Sequence, residues 1–145
     1  MQDSQNKIQQ AGLRPTPQRL LIADVIFGGL NHPTAEDVLR NLSSKQTYVS
    51  QATVYNTLHA FVEGGLLQEV YLGDGRTVYD HNVQPHHHFI DEETQSVIDI
   101  DIADVKLSQE CLSRFDIDSV QMVIRGKQKP DEGRPESKQS SRLVD

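Results

Sequence analysis

The chain has 145 residues, a single cysteine and a formal charge of −7. That length allows one domain or two small ones, and the lone Cys111 excludes an internal disulfide and any Cys-x-x-Cys zinc clip. No apolar run approaches the roughly 20 residues of a membrane span, and the polar opening M-Q-D-S-Q-N-K is not a signal peptide. A cytoplasmic protein with no membrane partner is therefore expected.

The acidity is uneven. Residues 1–82 carry six Lys/Arg against eight Asp/Glu, residues 83–126 carry three against nine, and residues 127–145 carry five against four. The first part can still present a local positive face to an anionic partner, though a weak one.

A polar helix is predicted over roughly Ser4–Ala11, stopped by Gly12. Thr16-Pro17 reads as an N-cap followed by proline at the first helical position, and apolar residues at helical spacing run on to Gly28-Gly29. Thr34 and Asp37 form a capping box for a third helix reaching about Leu42. Ser50 caps a fourth, which ends at Gly64-Gly65. Three compact helices with a short loop between the last two form a helix-turn-helix pattern. The next run, L-L-Q-E-V-Y-L-G-D-G-R-T-V-Y-D, has two β-rich segments flanking Gly73-Asp74-Gly75, a hairpin signal. A hairpin directly after a helix-turn-helix is a wing.

On the fourth helix, Val54, Leu58, Phe61 and Val62 share an inward side. Ala52, Asn56 and His59 face away from it, with Gln51, Thr53 and Tyr55 on the flanks. Short, polar or flat side chains on an exposed face suit major-groove reading: amides bond adenine edges, and Ala or Thr methyls touch the thymine methyl. An ordinary solvated face is the alternative. Arg14 and Arg19 are the natural phosphate or minor-groove contacts, or else surface charges.

Val78–Ile90 then holds four of the six histidines and Asp80. His86 and His88 are spaced by two, which on a strand places both imidazoles on one face and His87 on the other. Imidazole beside carboxylate suits a divalent transition metal. His88–Ile90 and Val97–Ile100 read as strands around D-E-E-T-Q, followed by a helix over about Ala103–Phe115 and a last strand, Val120–Arg125. So thin a core makes self-association plausible. From Lys127 onward the composition predicts a disordered tail. His59 and His81 are expected at the surface, and Cys111 as a small buried hydrophobe.

These residues resemble a known family. A-G-L-R-P-T-P-Q-R, H-P-T-A-E-D, S-Q-A-T-V-Y-N-T-L, F-V-E-G-G-L-L and the segment ending F-I-D-E-E-T-Q-S-V-I-D-I are similar to ferric uptake regulator (Fur) repressors, over roughly residues 5–126. T-V-Y-N-T-L, the compact H-H-H run and the missing cysteine pairs look most like the iron response regulator branch.

The resemblance implies an α+β fold, with a winged helix-turn-helix over 1–82, a small α/β dimerisation and metal-sensing domain over 83–126, and the tail over 127–145. It implies a homodimer that binds double-stranded operator DNA. One divalent ion per subunit (Fe, Mn or Zn) would sit at a hinge formed by His32, Asp80, His86 and His88, with Asp80 standing where the family has Glu. Asp99 matches a second carboxylate near that site. Tyr55 matches a base-contacting tyrosine and Arg14 a minor-groove residue, with Arg19, Gln51, Ala52, Thr53 and Asn56 completing the expected DNA surface. Without cysteine pairs, no four-cysteine structural zinc is expected. Lys106 and Val120 occupy places of a further family metal site, which is therefore expected to be absent. The histidine run could also support haem, with His87 as the axial ligand, or His87 is an exposed spacer. The expected function is a metal-responsive regulator and not an enzyme. The alternatives are a haem-binding sensor that releases DNA and a small His/Asp metalloenzyme.

Overall fold

Side-chain caps mark where the helices that begin at Pro17, Ala35 and Gln51 start. The computed structural model describes residues 2–130, so the predicted tail lies, from residue 131 on, outside the described residues. The chain divides after Val83 into two compact units.

Among the described residues, the first unit contains four helices: α1 (Gln2–Gln10), α2 (Pro17–Phe27), α3 (Ala35–Ser44) and α4 (Gln51–Glu63). Thr16 accepts from the Arg19 N–H and Ser50 from the Thr53 N–H, satisfying donors that the first helical turn leaves without partners. Thr34 and Asp37 close a full capping box, each side chain bonding the other's backbone N–H. α4 stops because Gly65 adopts φ 77°, which lets the Leu66 N–H return to the Phe61 carbonyl at 2.9 Å.

The buried faces of these helices meet in one core built on Ile8, Ile22, Ile26, Val54, Leu58 and Phe61, none of which retains any exposure. Replacing Phe61 with Ala there would cost about 3–5 kcal/mol. Two antiparallel strands follow, β1 (Gln68–Tyr71) and β2 (Thr77–Asp80), pairing Tyr71 with Thr77 and Gln68 with Asp80. Gly73 and Gly75 take positive φ at the tip of this wing.

Among the described residues, the second unit holds a three-stranded sheet in the order β4-β3-β5, from β3 (His87–Asp91), β4 (Val97–Ile100) and β5 (Val123–Gly126). β3 pairs antiparallel with β4 and parallel with β5. Asp91 builds the β3–β4 turn by accepting from the N–H groups of Glu93 and Thr94.

Several expectations need correction here. The strand begins at His87, so His86 lies just before it and not on it. The single helix predicted over Ala103–Phe115 is a 3-10 turn, Ile102–Asp104, and a separate short helix, α5 (Gln109–Arg114). Two caps explain the break: Asp101 accepts from Ala103 and Ser108 from Cys111, each starting its own piece, while Val105 between them is extended. The last strand starts at Val123, three residues after the expected Val120. Cys111 is only half-buried, because α5 buries none of its residues.

Candidate metal centre

The first unit sets a histidine beside a carboxylate. Pro33 follows His32 and Tyr79 precedes Asp80, and the Tyr79 N–H donates to the Pro33 carbonyl at 2.8 Å. That bond brings the loop before α3 against β2, and His32 Nε2 then lies 3.1 Å from Asp80 Oδ2. Both side chains are buried. The other Asp80 oxygen accepts from the Asn82 N–H at 2.9 Å, so the carboxylate is held from both ends. His32 adopts φ 48°, a left-handed conformation that costs a non-glycine residue on the order of 1 kcal/mol. Such outliers persist where the surroundings hold a side chain in a required place.

The second unit sets two histidines beside a carboxylate. β3 and β4 pair His88 opposite Asp99, which puts imidazole and carboxylate on one face of the sheet. His86, two residues earlier, joins that face: its ring lies 4.5 Å from the His88 ring, centre to centre. His86 Nε2 is 3.4 Å and His88 Nε2 3.9 Å from Asp99 Oδ1. His86 Nδ1 lies 2.6 Å from the Gln84 carbonyl. A carbonyl only accepts, so Nδ1 carries a proton, and in the neutral ring Nε2 is the nitrogen with the lone pair that a metal needs. In each unit, imidazole beside a carboxylate offers the nitrogen and oxygen donors that suit a divalent transition ion.

His87 points to the opposite face and is 1% exposed, so it is no exposed spacer. Its Nδ1 accepts from the Met122 N–H at 3.1 Å, while the His88 N–H donates to the Met122 carbonyl. The ring thus helps to dock β5. His59 and His81 are at the surface.

On the first unit, Gln51, Ala52, Tyr55 and Asn56 are exposed along α4 and Thr53 is half-buried. Arg14 is exposed; Arg19 is half-buried and donates to the Arg14 carbonyl at 3.0 Å. The Tyr55 hydroxyl donates to Glu36 Oε1 at 2.8 Å, a contact that no local sequence signal announces. This bond holds the Glu36 carboxyl below its usual range and pushes the Tyr55 phenol up.

A winged helix followed by a sheet bearing paired histidines and a carboxylate invites comparison with known proteins. The family model described as the ferric uptake regulator family matches residues 10–125. The chain belongs to the ferric uptake regulator family. The peroxide-responsive repressor PerR of Staphylococcus epidermidis is 31% identical over 129 residues, covering 87% of this chain and 86% of that protein. The solved ferric uptake regulator of Pseudomonas aeruginosa, with manganese, is 25% identical and covers 88% of this chain and 98% of its own, with a TM-score of 0.69. That of Vibrio cholerae shares the fold, with a TM-score of 0.71 at 22% identity, covering 85% of this chain and 98% of its own. These relatives are regulators and repressors, not enzymes. The fold class is α+β, a winged helix followed by a small α/β unit. No helix among the described residues is long and apolar enough to cross a membrane.

Proposed function

We propose that this chain is a cytoplasmic, metal-responsive repressor that binds operator DNA as a homodimer. One divalent transition ion per subunit, Fe, Mn or Zn, is held by His32, Asp80, His86 and His88 with Asp99 beside them. The observation that carries this reading is the pair of donor groups at the two ends of one short segment. Asp80, already against His32, and His86, already against His88 and Asp99, are joined by six residue steps, a tether of at most about 20 Å. When bound, the ion supplies a cross-link between His32 of the first unit and the sheet of the second. The angle between two winged helices in a dimer must match successive half-sites on DNA, and such a cross-link constrains it.

Residues 1–82 are then the DNA-binding part, reading through Gln51, Ala52, Thr53, Tyr55 and Asn56, with Arg14 and Arg19 on the backbone. Residues 83–126 dimerise and sense metal. Supporting dimerisation, Ile102, Leu112, Phe115, Ile117 and Ile124 are large apolar side chains left exposed in this part. Haem is not part of the reading, because the His87 ring is buried and its Nδ1 already accepts a backbone bond. The same peroxide- and iron-linked relatives support a regulator over a metalloenzyme.

The test has three measurements: chain mass in solution, calorimetric titration with Mn²⁺ and Zn²⁺, and retention of a duplex enriched by the protein from a random pool. A dimer that binds about one ion per chain and changes its DNA affinity with metal is expected. A DNA affinity indifferent to both ions would overturn the metal-responsive reading.

A further inference from the structure

Tyr55 and Glu36 stand 19 residues apart on different helices, yet their side chains meet at the surface of the first unit. Glu36 is the second residue of α3, beside Asp37, whose carboxylate is committed to the capping box. The Glu36 carboxylate instead reaches outward, and its Oε1 accepts the Tyr55 hydroxyl at 2.8 Å. A carboxylate in the first turn of a helix is favoured by the helix dipole. Its charge makes it a stronger acceptor than a neutral oxygen. Tyr55 is 40% exposed, so little packing restricts its ring. A surface side chain that must be ordered on binding loses rotamer freedom at that moment, and this weakens recognition. A bond formed beforehand removes that loss.

We infer that Glu36 is a positioning residue for Tyr55: it holds the phenol ring in one orientation on α4 and so sets the ratio of specific to non-specific DNA binding. This rests on the proposed role of α4 as the DNA reader. Glu36 also carries a negative charge close to that face. Removing the charge strengthens binding to any duplex, specific or not, so the change cancels in the ratio. The ratio therefore reports positioning and not simple repulsion.

The experiment uses the full chain with Glu36→Ala, Glu36→Gln, Tyr55→Phe and the double variant Glu36→Ala/Tyr55→Phe. The two probes are the duplex that the wild type enriches from a random pool and a random-sequence duplex of equal length, at one salt concentration. Glu36→Ala should lower the specific-to-non-specific ratio roughly fivefold, and Glu36→Gln should restore most of it because the amide oxygen still accepts. In the Tyr55→Phe background, which lacks the hydroxyl, Glu36→Ala should change nothing further. An unchanged ratio in Glu36→Ala, or an undiminished effect without the hydroxyl, would overturn the inference. Spectra of ¹³C-tyrosine-labelled protein without DNA separate this from failure of the DNA reading. The Tyr55 ring signal, assigned with Tyr55→Phe, should move in Glu36→Ala, and a signal that stays put overturns the contact itself. If the wild type enriches no duplex, the DNA reading falls and this inference with it, whatever the spectrum shows.

Discussion

The Tyr79 main-chain N–H donates to the carbonyl of Pro33 at 2.8 Å, tying the residue before Asp80 to the residue after His32. This backbone bond, together with the capping box one residue later at Thr34, fixes the loop that carries His32 in its left-handed conformation. The His32–Asp80 contact at 3.1 Å is therefore held by the main chain on both sides. A site prepared in this way loses little conformational freedom when a ligand arrives.

Removing donors should separate metal binding from its consequence. The double replacement His86→Ala/His88→Ala should abolish Mn²⁺ and Zn²⁺ binding in calorimetry, because it removes both imidazoles of the second unit. His32→Ala should weaken metal binding less, by about tenfold, but erase the effect of metal on DNA affinity. Wild-type stoichiometry in the double variant would refute the donor assignment. A normal metal response in His32→Ala would refute the cross-link and leave the remaining donors standing.

Tyr55→Ala should weaken binding to the selected duplex roughly tenfold, since one lost base contact is worth about 1–3 kcal/mol. The protein should stay folded and dimeric, because Tyr55 lies outside the core. A shift assay at fixed salt, with circular dichroism as the control for folding, reads both. Unchanged affinity would take Tyr55 out of the interface.

Arg14 is exposed just ahead of α2. Arg14→Ala should reduce affinity for specific and random duplexes alike and lower the slope of log K against log salt by about 1. An effect confined to one sequence would instead make Arg14 a base reader.

Tyr79 provides a pH test of the first unit. Burial, and then the nearby Glu69 carboxylate, push its phenol up to about 12. The ordinary value in an unfolded chain is near 10, so the native state holds this proton more tightly. Its effect on stability is constant below about pH 10 and is lost progressively as pH rises from there through the folded value. Urea midpoints measured between pH 8 and 11 should fall with pH, and Tyr79→Phe should flatten that fall. An identical fall in the variant would assign it to other groups.

Much of the first unit is legible because its signals are local. A cap involves residues three apart, so Thr16, Thr34 and Ser50 announce α2, α3 and α4, and the glycines after α4 announce its end. The second unit is less legible, because two local rules compete there. Apolar spacing over Ala103–Phe115 mimics one helix, yet the caps at Asp101 and Ser108 divide it. A cap satisfies specific backbone donors, whereas spacing in an exposed segment has no core to reward it.

By itself the sequence determined the starts of α2, α3 and α4, the wing and the spacing that puts His86 and His88 on one side. Asp80 stands out as the carboxylate of the histidine-rich stretch, whereas His32 and Asp99 could be named only through the family resemblance, since nothing in their spacing joins them to it. Tertiary structure alone decided that Pro33 would meet Tyr79, that Asp99 would stand opposite His88, that His87 would be buried and bonded to the Met122 N–H, and that Tyr55 would bond Glu36. Each of these partnerships joins residues from separate elements. Strand register and helix packing are set by burial summed over whole faces, and no short window of sequence contains that sum.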